Sequence, residues 1–181
     1  MSSVEISIVV PVHNEEQQIP RFFAEVRRLL DGVRFELLFV DDGSSDATWA
    51  AIRKLREEDP RVGGLRLTRN FGKEAAVWSG LELAQGAAVA VMDVDFQHPP
   101  ALLPQMIELW RSGRWKIVEA RKQTRAREPF WYRWSTSLFY AILRWSTGLD
   151  FRGSTDFKLL DSDVVNVLMK LPERVTFFRG I

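Results

Sequence analysis

The sequence predicts an α/β fold in which a mostly parallel central sheet is flanked by helices. In the first half of the chain, short apolar runs rich in β-branched residues alternate with longer helix-like stretches. Alternation of this kind favours parallel pairing through right-handed crossovers. Polar residues follow four of the predicted strands. Because ligands of such sheets bind at the carboxyl ends of the strands, these polar ends predict a binding site.

Five strands and four helices are predicted before residue 121. The strands are predicted at 6–12, 35–42, 62–68, 87–95 and 115–120, and the helices at about 16–30, 45–58, 73–85 and 100–111. The Ser-Ser-Asp run at 44–46 precedes the second helix, and the Pro99-Pro100 pair introduces the fourth. An arginine- and tryptophan-rich helical stretch follows, and at 156–171 a short strand leads into a helix.

Composition indicates one globular domain with a substantial core, since 46% of the 181 residues are hydrophobic and 27% are charged. The net charge of +1 gives no general bias toward nucleic acid. The chain has no cysteine, which excludes disulfides, thiolate chemistry and cysteine-based zinc sites. No run approaches the roughly 18 apolar residues that a membrane-spanning helix needs.

The segment MDVDFQHPP (92–100) carries the clearest chemical signal. Asp93 and Asp95 are spaced i, i+2, which in an extended segment places both carboxylates on the same side of the chain. Like charges so close need a cation, and Mg²⁺ or Mn²⁺ accepts oxygen ligands from carboxylates and phosphates. A solvated turn is the alternative. Neither a P-loop nor a G-x-G-x-x-G fingerprint occurs, so metal and basic side chains would have to neutralise any nucleotide phosphate.

Six segments in series resemble a known family. VVPVHNEE, FVDDGSSDAT, TRNFGKEAA and MDVDFQHPP resemble the inverting family 2 glycosyltransferases of the GT-A fold. STDFKLLDSDVV and LPERVTFFRGI are similar to the polyprenyl-phosphate glycosyltransferases, which include bactoprenol glucosyltransferases and dolichol-phosphate mannose synthases. The resemblance implies a Rossmann-like nucleotide-diphospho-sugar transferase fold. It also implies transfer of a hexose, glucose from UDP-glucose, to undecaprenyl phosphate with Mg²⁺ or Mn²⁺.

The resemblance places the donor site at the strand ends. The residues expected to bind the nucleotide are Pro11, Asn14, Glu15, Asp41, Ser44, Gly72, Lys73 and Asp93. Asp93 and Asp95 would hold the metal, and Arg179 lies in a loop expected to close over the donor diphosphate. Family members commonly carry aspartate where this chain has His98. Its imidazole would therefore either ligate the metal or cap the turn before the prolines.

The resemblance places the acceptor site in the second half of the chain. Arg121, Arg133 and Ser137 match positions that meet the acceptor phosphate, and arginine forms bidentate contacts with phosphate. The interleaved tryptophans and arginines of this region suit an interfacial helix, with an ordinary amphipathic core helix as the alternative.

The catalytic residues implied are Asp95, Arg133 and Asp156. Asp156 aligns with an aspartate proposed as a base, but Thr155 replaces the glycine that usually precedes it. Because a lipid phosphate is already ionised at pH 7, Asp156 has alternative roles. It would orient the acceptor, complete the metal site, or cap the loop that follows it.

The expected partners are a nucleotide-sugar donor, a polyprenyl-phosphate lipid and a membrane surface, without nucleic acid and with homo-oligomer formation left open. Residues 1–181 are expected to form a single catalytic domain, truncated before a C-terminal membrane region and located at the cytoplasmic face of the plasma membrane. Three alternatives remain: a sugar nucleotidyltransferase, a haloacid-dehalogenase-type phosphatase and a nucleotide-sugar-binding module that has lost activity. A sugar nucleotidyltransferase normally carries a Gly-rich, basic N-terminal loop, which this chain lacks. A haloacid-dehalogenase-type phosphatase carries its D-x-D motif after the first strand, whereas here the motif follows the fourth predicted strand.

Overall fold

A six-stranded sheet forms the centre of the structure, a computed structural model that describes residues 4–120, 155–171 and 178. The strands are β1 (Ile6–Val12), β2 (Phe35–Asp41), β3 (Val62–Arg66), β4 (Ala88–Val91), β5 (Ile117–Glu119) and β6 (Lys158–Asp161). Their order across the sheet is β3-β2-β1-β4-β6-β5. The pairs among β1 to β4 are parallel, whereas β6 runs antiparallel to both of its neighbours. The predicted mostly parallel sheet is therefore confirmed.

All seven residues of strand β1 are buried, because the strand lies in the interior of the sheet between β2 and β4. Successive side chains of a strand point to opposite faces. Ile6, Ile8 and Val10 accordingly contribute to the core on one face, and Val9 contributes to the core on the other. An apolar run without alternation is what a strand covered on both faces requires.

Helices cover both faces of the sheet. Helices α1 (Gln18–Leu29), α2 (Thr48–Glu58) and α4 (Leu103–Arg111) pack on the first face, and α3 (Lys73–Leu83) and α5 (Ser162–Leu168) pack on the second. A 3₁₀ turn at Pro100–Leu102 leads into α4, as the proline pair predicts. Within the described ranges, no helix combines the length and the apolar character needed to cross a bilayer.

The fourth strand is shorter than its predicted range of 87–95. Its last paired residue is Val91, which pairs with Val9 on one side and Lys158 on the other. The chain then turns, and Phe96 adopts a positive φ of 60°. The prediction that Asp93 and Asp95 lie in an extended segment is therefore wrong. Strand β1 continues to Val12, past the partner of Val91, so the ladder ends because the chain of β4 itself turns away.

Candidate active site

A cleft of about 350 Å³ opens where the polar loops after the strands meet. Its walls are formed by Pro11, Val12, His13, Glu15, Asp42, Asn70, Gly72, Lys73, Asp93, Val94 and Asp95. These residues follow or end β1, β2, β3 and β4, so the predicted convergence of four loops is confirmed. The cleft lies at the carboxyl edge of the parallel strands, where this class of sheet binds ligands.

Three residues predicted to bind the nucleotide hold the loops together instead of lining this cleft. The Asn14 backbone N–H donates to Ser44 Oγ at 2.9 Å, and Asn14 Oδ1 accepts from the Ser45 N–H at 2.9 Å. The Ser44 N–H in turn donates to Asp41 Oδ1 at 2.9 Å. The loops after β1 and β2 are therefore tied to each other by both backbone and side chains. Direct contact of these residues with a nucleotide stays a prediction.

Asp41 is fully buried and is paired with an arginine from the next strand. Arg66 Nε lies 3.3 Å from Asp41 Oδ2 without the alignment of a hydrogen bond. Arg66 Nη2 also donates to the Ser44 carbonyl oxygen at 3.0 Å. A buried carboxylate is costly unless it is paired. The arginine offsets that cost and fixes the loop after β2 to strand β3.

Asp42 organises the loop before α3, a role the sequence did not reveal. Its carboxylate is almost fully buried and accepts from the backbone N–H groups of Phe71 at 2.7 Å and Gly72 at 2.9 Å. Gly72, the N-cap of α3, has a positive φ of 95°. The sequence marks the Asp-Asp pair at 41–42 as a polar strand end. It does not indicate which of the two carboxylates contacts the third loop.

His13 joins three loops through a network that fixes its tautomer. Asn14 Oδ1 and Asn70 Oδ1 each accept a backbone N–H, so both amide groups turn their Nδ2 toward the imidazole. These Nδ2 atoms lie 3.2 Å and 3.4 Å from His13 Nε2. Because amide nitrogens only donate, Nε2 has to accept. The proton is therefore on Nδ1, which lies 2.8 Å from the Asp42 carbonyl oxygen and donates to it.

Lys73 connects the cleft to Asp156. Its ammonium lies 2.6 Å from Asp93 Oδ1, 2.8 Å from Asp93 Oδ2 and 2.6 Å from Asp156 Oδ2. Burial lowers the pKa of Lys73, but the hydrogen bonds to Asp156 and Asp93 outweigh it and the pKa is raised overall. The structure thus brings together three of the predicted site residues from different parts of the chain.

The place of Lys73 in its helix is electrostatically unfavourable. It is the first residue of α3, where the helix dipole favours anions, and a cation there costs about 0.3–1 kcal/mol. The two carboxylates compensate for this cost. The lysine at this position is therefore explained by its two carboxylate partners and not by the stability of the helix.

Negative charge is concentrated around Glu15, Asp93 and Asp95 in the cleft. The pKa of Glu15 is raised by burial and by the charges of Asp95, Asp46 and Asp93, in that order. The carboxylate oxygens of this acidic group match the ligand preference of Mg²⁺ and Mn²⁺. Across residues 4–120, 155–171 and 178, no three acidic or histidine side chains converge into a complete metal site. Asp93 and Asp95 offer carboxylate oxygens that fit a divalent cation, and a bound phosphate and water would have to supply its remaining ligands.

His98 lies apart from this cluster. Its ring packs edge-on against Phe157 with centroids 6.3 Å apart, and its buried Nδ1 has no hydrogen-bond partner. The turn before the prolines is closed instead by Asp95 Oδ1, which accepts from the Gln97 N–H at 3.0 Å. His98 is not among the residues that line the cleft. Its contact with a metal stays a prediction.

Four predicted site residues lie outside the described residues. They are Arg121, Arg133, Ser137 and Arg179, together with the tryptophan-rich helical stretch. Their roles toward an acceptor phosphate and a donor diphosphate remain predictions.

The fold and the cleft define an α/β protein that binds its ligand at the carboxyl ends of parallel strands. The sequence profile of glycosyl transferase family 2 matches residues 7–168, and the chain belongs to this family. A bactoprenol glucosyl transferase of Shigella phage SfV is 40% identical over 98% of this chain and 59% of its own length. The chain spans between 56% and 59% of the length of the curated relatives it matches first.

Solved structures share the fold. The mannosyltransferase from Pyrobaculum calidifontis, determined with GDP-mannose and Mn²⁺, is 20% identical over 97% of this chain and 49% of its own, with a TM-score of 0.66. Glucosyl-3-phosphoglycerate synthase from Mycobacterium tuberculosis, determined with Mn²⁺ and UDP-glucose, is 22% identical over 89% of this chain and 57% of its own, with a TM-score of 0.63. The predicted GT-A fold and family are therefore confirmed.

Proposed function

We propose that the chain is the catalytic domain of an inverting glycosyltransferase that moves glucose from UDP-glucose to undecaprenyl phosphate. The observation that carries the proposal is the grouping of Asp93, Asp95, Lys73 and Asp156 around one cleft at the carboxyl edge of the sheet. The similarity to bactoprenol glucosyl transferases supports the sugar and the lipid. The UDP-glucose complex of a structural neighbour supports the donor.

Binding of the donor is the task of the cleft residues. Asp93 and Asp95 would hold Mg²⁺ or Mn²⁺, which supplies Lewis-acid stabilisation of the departing diphosphate. Both neighbours named above were determined with Mn²⁺, which supports a divalent cation here. Lys73 reaches into the same cleft, and its ammonium suits a phosphate oxygen. Pro11 and Gly72 supply backbone-lined walls against which a flat base or a ribose can lie.

Transfer itself needs positioning more than proton abstraction. An oxygen of the acceptor phosphate forms a bond to the anomeric carbon while the bond from that carbon to the donor diphosphate breaks, which inverts the configuration. The acceptor is already ionised at neutral pH, so no base is required. Asp156 is buried and pairs with Lys73, which also contacts Asp93, and this place suits orientation of the reacting groups.

The acceptor side of the proposal rests on residues that the structure does not describe. Arg121, Arg133 and Ser137 would hold the lipid phosphate, and Arg179 would close over the donor diphosphate. A polyprenyl-phosphate acceptor requires the reaction to take place at a membrane surface, which we place at the cytoplasmic face of the plasma membrane. The full-length protein is then a membrane-anchored enzyme.

A donor panel tests the proposed reaction. The full-length protein is incubated with undecaprenyl phosphate and either UDP-glucose, UDP-galactose, UDP-N-acetylglucosamine or GDP-mannose, with Mn²⁺ or with EDTA. Glucosyl lipid formed only with UDP-glucose and metal is the expected result. Metal-dependent UDP binding without transfer from any donor would instead indicate a binding module.

Asp95→Asn is expected to reduce transfer by at least about a hundredfold, because an amide oxygen is a poor replacement for a carboxylate ligand. The sequence offers a matched control in a second pair of aspartates spaced i, i+2, at Asp161 and Asp163. Asp163 is exposed, lies in the first turn of α5 and does not line the cleft. Asp163→Asn is expected to keep normal turnover. Undiminished turnover in Asp95→Asn would rule out the proposed metal ligand.

A further inference from the structure

Two lysines of the described residues each join two carboxylates, in contrasting places. Lys116 lies 2.9 Å from Asp161 Oδ1 and 2.8 Å from Asp163 Oδ2 at the protein surface. Lys73 makes the corresponding bridge between Asp93 and Asp156 inside the cleft. Lys116 links the end of one strand to the helix that follows it. Lys73 instead places its positive charge on a carboxylate that the proposed function assigns to a metal ion.

We propose that Lys73 is an exchangeable counter-ion of the active site. Its ammonium pairs with both Asp93 and Asp156 in the absence of ligands. A divalent cation that binds Asp93 displaces the ammonium, which then pairs with the donor diphosphate. This inference rests on the proposed function, because it assumes that Asp93 binds the cation and that the cleft binds the diphosphate.

The geometry makes the two cations mutually exclusive at Asp93. The Lys73 ammonium lies within hydrogen-bond distance of both oxygens of that carboxylate, at 2.6 Å and 2.8 Å. The ammonium therefore occupies the position facing both carboxylate oxygens of Asp93, where a Mg²⁺ or Mn²⁺ ion would bind. A divalent ion at about 2.0–2.2 Å from the same oxygens would meet both the volume and the charge of the ammonium.

The side chain of Lys73 can leave while its backbone stays in place. The preceding Gly72 donates its N–H to Asp42 Oδ2 at 2.9 Å, and the Gly72 carbonyl accepts from the Ala76 N–H at 3.2 Å. The loop and the start of α3 are thus fixed. The lysine side chain is 41% exposed and carries its charge on a flexible four-carbon stem. Exchange of partners therefore needs only rotation about side-chain bonds.

Exchange of this kind couples the binding of metal and nucleotide. Without nucleotide, the metal has to break the contact of Lys73 with Asp93 and leaves the ammonium with fewer anionic partners. With nucleotide present, the diphosphate supplies a new partner in the same cleft. Each ligand therefore improves the affinity for the other, and the coupling is reciprocal. Lys73 is the residue through which part of that coupling passes.

Binding of Mn²⁺ alone provides the first test, with the electron paramagnetic resonance signal of free Mn²⁺ as the readout. Without nucleotide, Lys73→Met is expected to bind Mn²⁺ about tenfold more tightly than the wild type, because the competing charge is gone. Lys73→Arg keeps the charge and is expected to stay close to the wild type. Lys116→Met removes the matched surface bridge and is expected to leave Mn²⁺ affinity unchanged.

Binding of UDP provides the second test and has the opposite sign. In saturating Mn²⁺, Lys73→Met is expected to bind UDP about tenfold more weakly in titration calorimetry, because a charge-assisted contact to phosphate is lost. Lys73→Arg is expected to recover most of that loss. Tighter metal binding together with weaker nucleotide binding is a combination that general disruption of the fold does not produce.

Each remaining outcome contradicts a defined part of the argument. Equal Mn²⁺ affinity in Lys73→Met and the wild type would overturn the exchange while leaving the proposed function intact. Absence of Mn²⁺ binding in every variant, with and without UDP, would overturn the metal site of the proposed function. If Lys73→Met does not fold, as judged by circular dichroism, Lys73→Gln makes the same comparison with a neutral polar end.

Discussion

At the scale of single residues, His13 connects the loops that follow β1, β2 and β3. One ring nitrogen donates to the carbonyl oxygen of Asp42, and the other accepts from the amides of Asn14 and Asn70. The network therefore sets the spacing of three walls of the cleft.

His13→Phe keeps an aromatic ring but removes both ring nitrogens. Each lost hydrogen bond contributes about 0.5–1.5 kcal/mol, and the exposed position allows water to replace part of it. We expect UDP affinity to fall about tenfold while the free energy of unfolding falls by only about 1 kcal/mol. Titration calorimetry and urea denaturation measure the two quantities. His13→Gln, which can still donate and accept, should recover part of the affinity, and unchanged UDP binding in His13→Phe would contradict this role.

The sequence predicts which residues lie at the cleft, but not the contacts that their side chains make. The acidic spacing at Asp93 and Asp95 and the lysine of the third loop were identified, and all three line the cleft. The bridge from Lys73 to Asp156 was not predicted, because 83 residues separate the two side chains. The orientation of a side chain depends on the turn that carries it. The turn after β4, with its positive φ at Phe96, could not be inferred from the residue spacing.

At the scale of elements, the ends of strands and helices determine the shape of the cleft. The interiors of the strands follow from their apolar runs, and the predicted 6–12 matches β1. The ends of β3 and β4 were predicted too far along the chain, since apolar residues continue after the last pairing. Strand β3 ends where β2 ends, at the pair Arg66 and Asp41, whereas β4 leaves the sheet after Val91 although β1 continues to Val12. These limits depend on the neighbouring strand and on the turn that follows, which the apolar pattern of one segment does not indicate.

The turn between β2 and α2 depends on Gly43. Its φ is +66°, and a Cβ atom at this position would lie 2.4 Å from the backbone carbon of Arg69. Gly113 has a similar φ of +71°, but a Cβ there would meet no atom within 4 Å. A substitution at Gly113 therefore tests the cost of a positive φ alone, whereas a substitution at Gly43 adds a clash with the backbone.

Gly43→Ala is expected to lower the free energy of unfolding by more than about 3 kcal/mol, because two backbone segments would have to separate. Gly113→Ala should cost only about 1 kcal/mol, which is the strain of the left-handed conformation alone. Urea denaturation of both variants measures the difference. Equal losses in the two variants would show that the loops after β2 and β3 can move apart, and the cleft would then be less rigid than its contacts indicate.

At the scale of the whole molecule, folding and ligand binding are linked through the same loops. The cleft draws its walls from the ends of four strands, whose order in the sheet is not their order in the chain. The unfolded chain has no such cleft. A ligand that binds only the folded state stabilises it according to its concentration and affinity. The proposed donor and metal should therefore raise the melting temperature together.

At about a hundred times its dissociation constant, UDP with Mn²⁺ should add about 2.7 kcal/mol to the free energy of unfolding. For a protein of this size, that corresponds to a rise of about 5–10 °C in melting temperature. Replacing Mn²⁺ by EDTA should remove most of the rise, and Asp95→Asn should behave in Mn²⁺ as the wild type does in EDTA. Differential scanning fluorimetry measures the melting temperature in each condition. GDP in place of UDP serves as the matched nucleotide, and the proposed donor predicts a smaller rise with it.

An equal rise with and without metal would mean that the cleft binds the nucleotide through its own side chains, and Asp93 and Asp95 would then need another role.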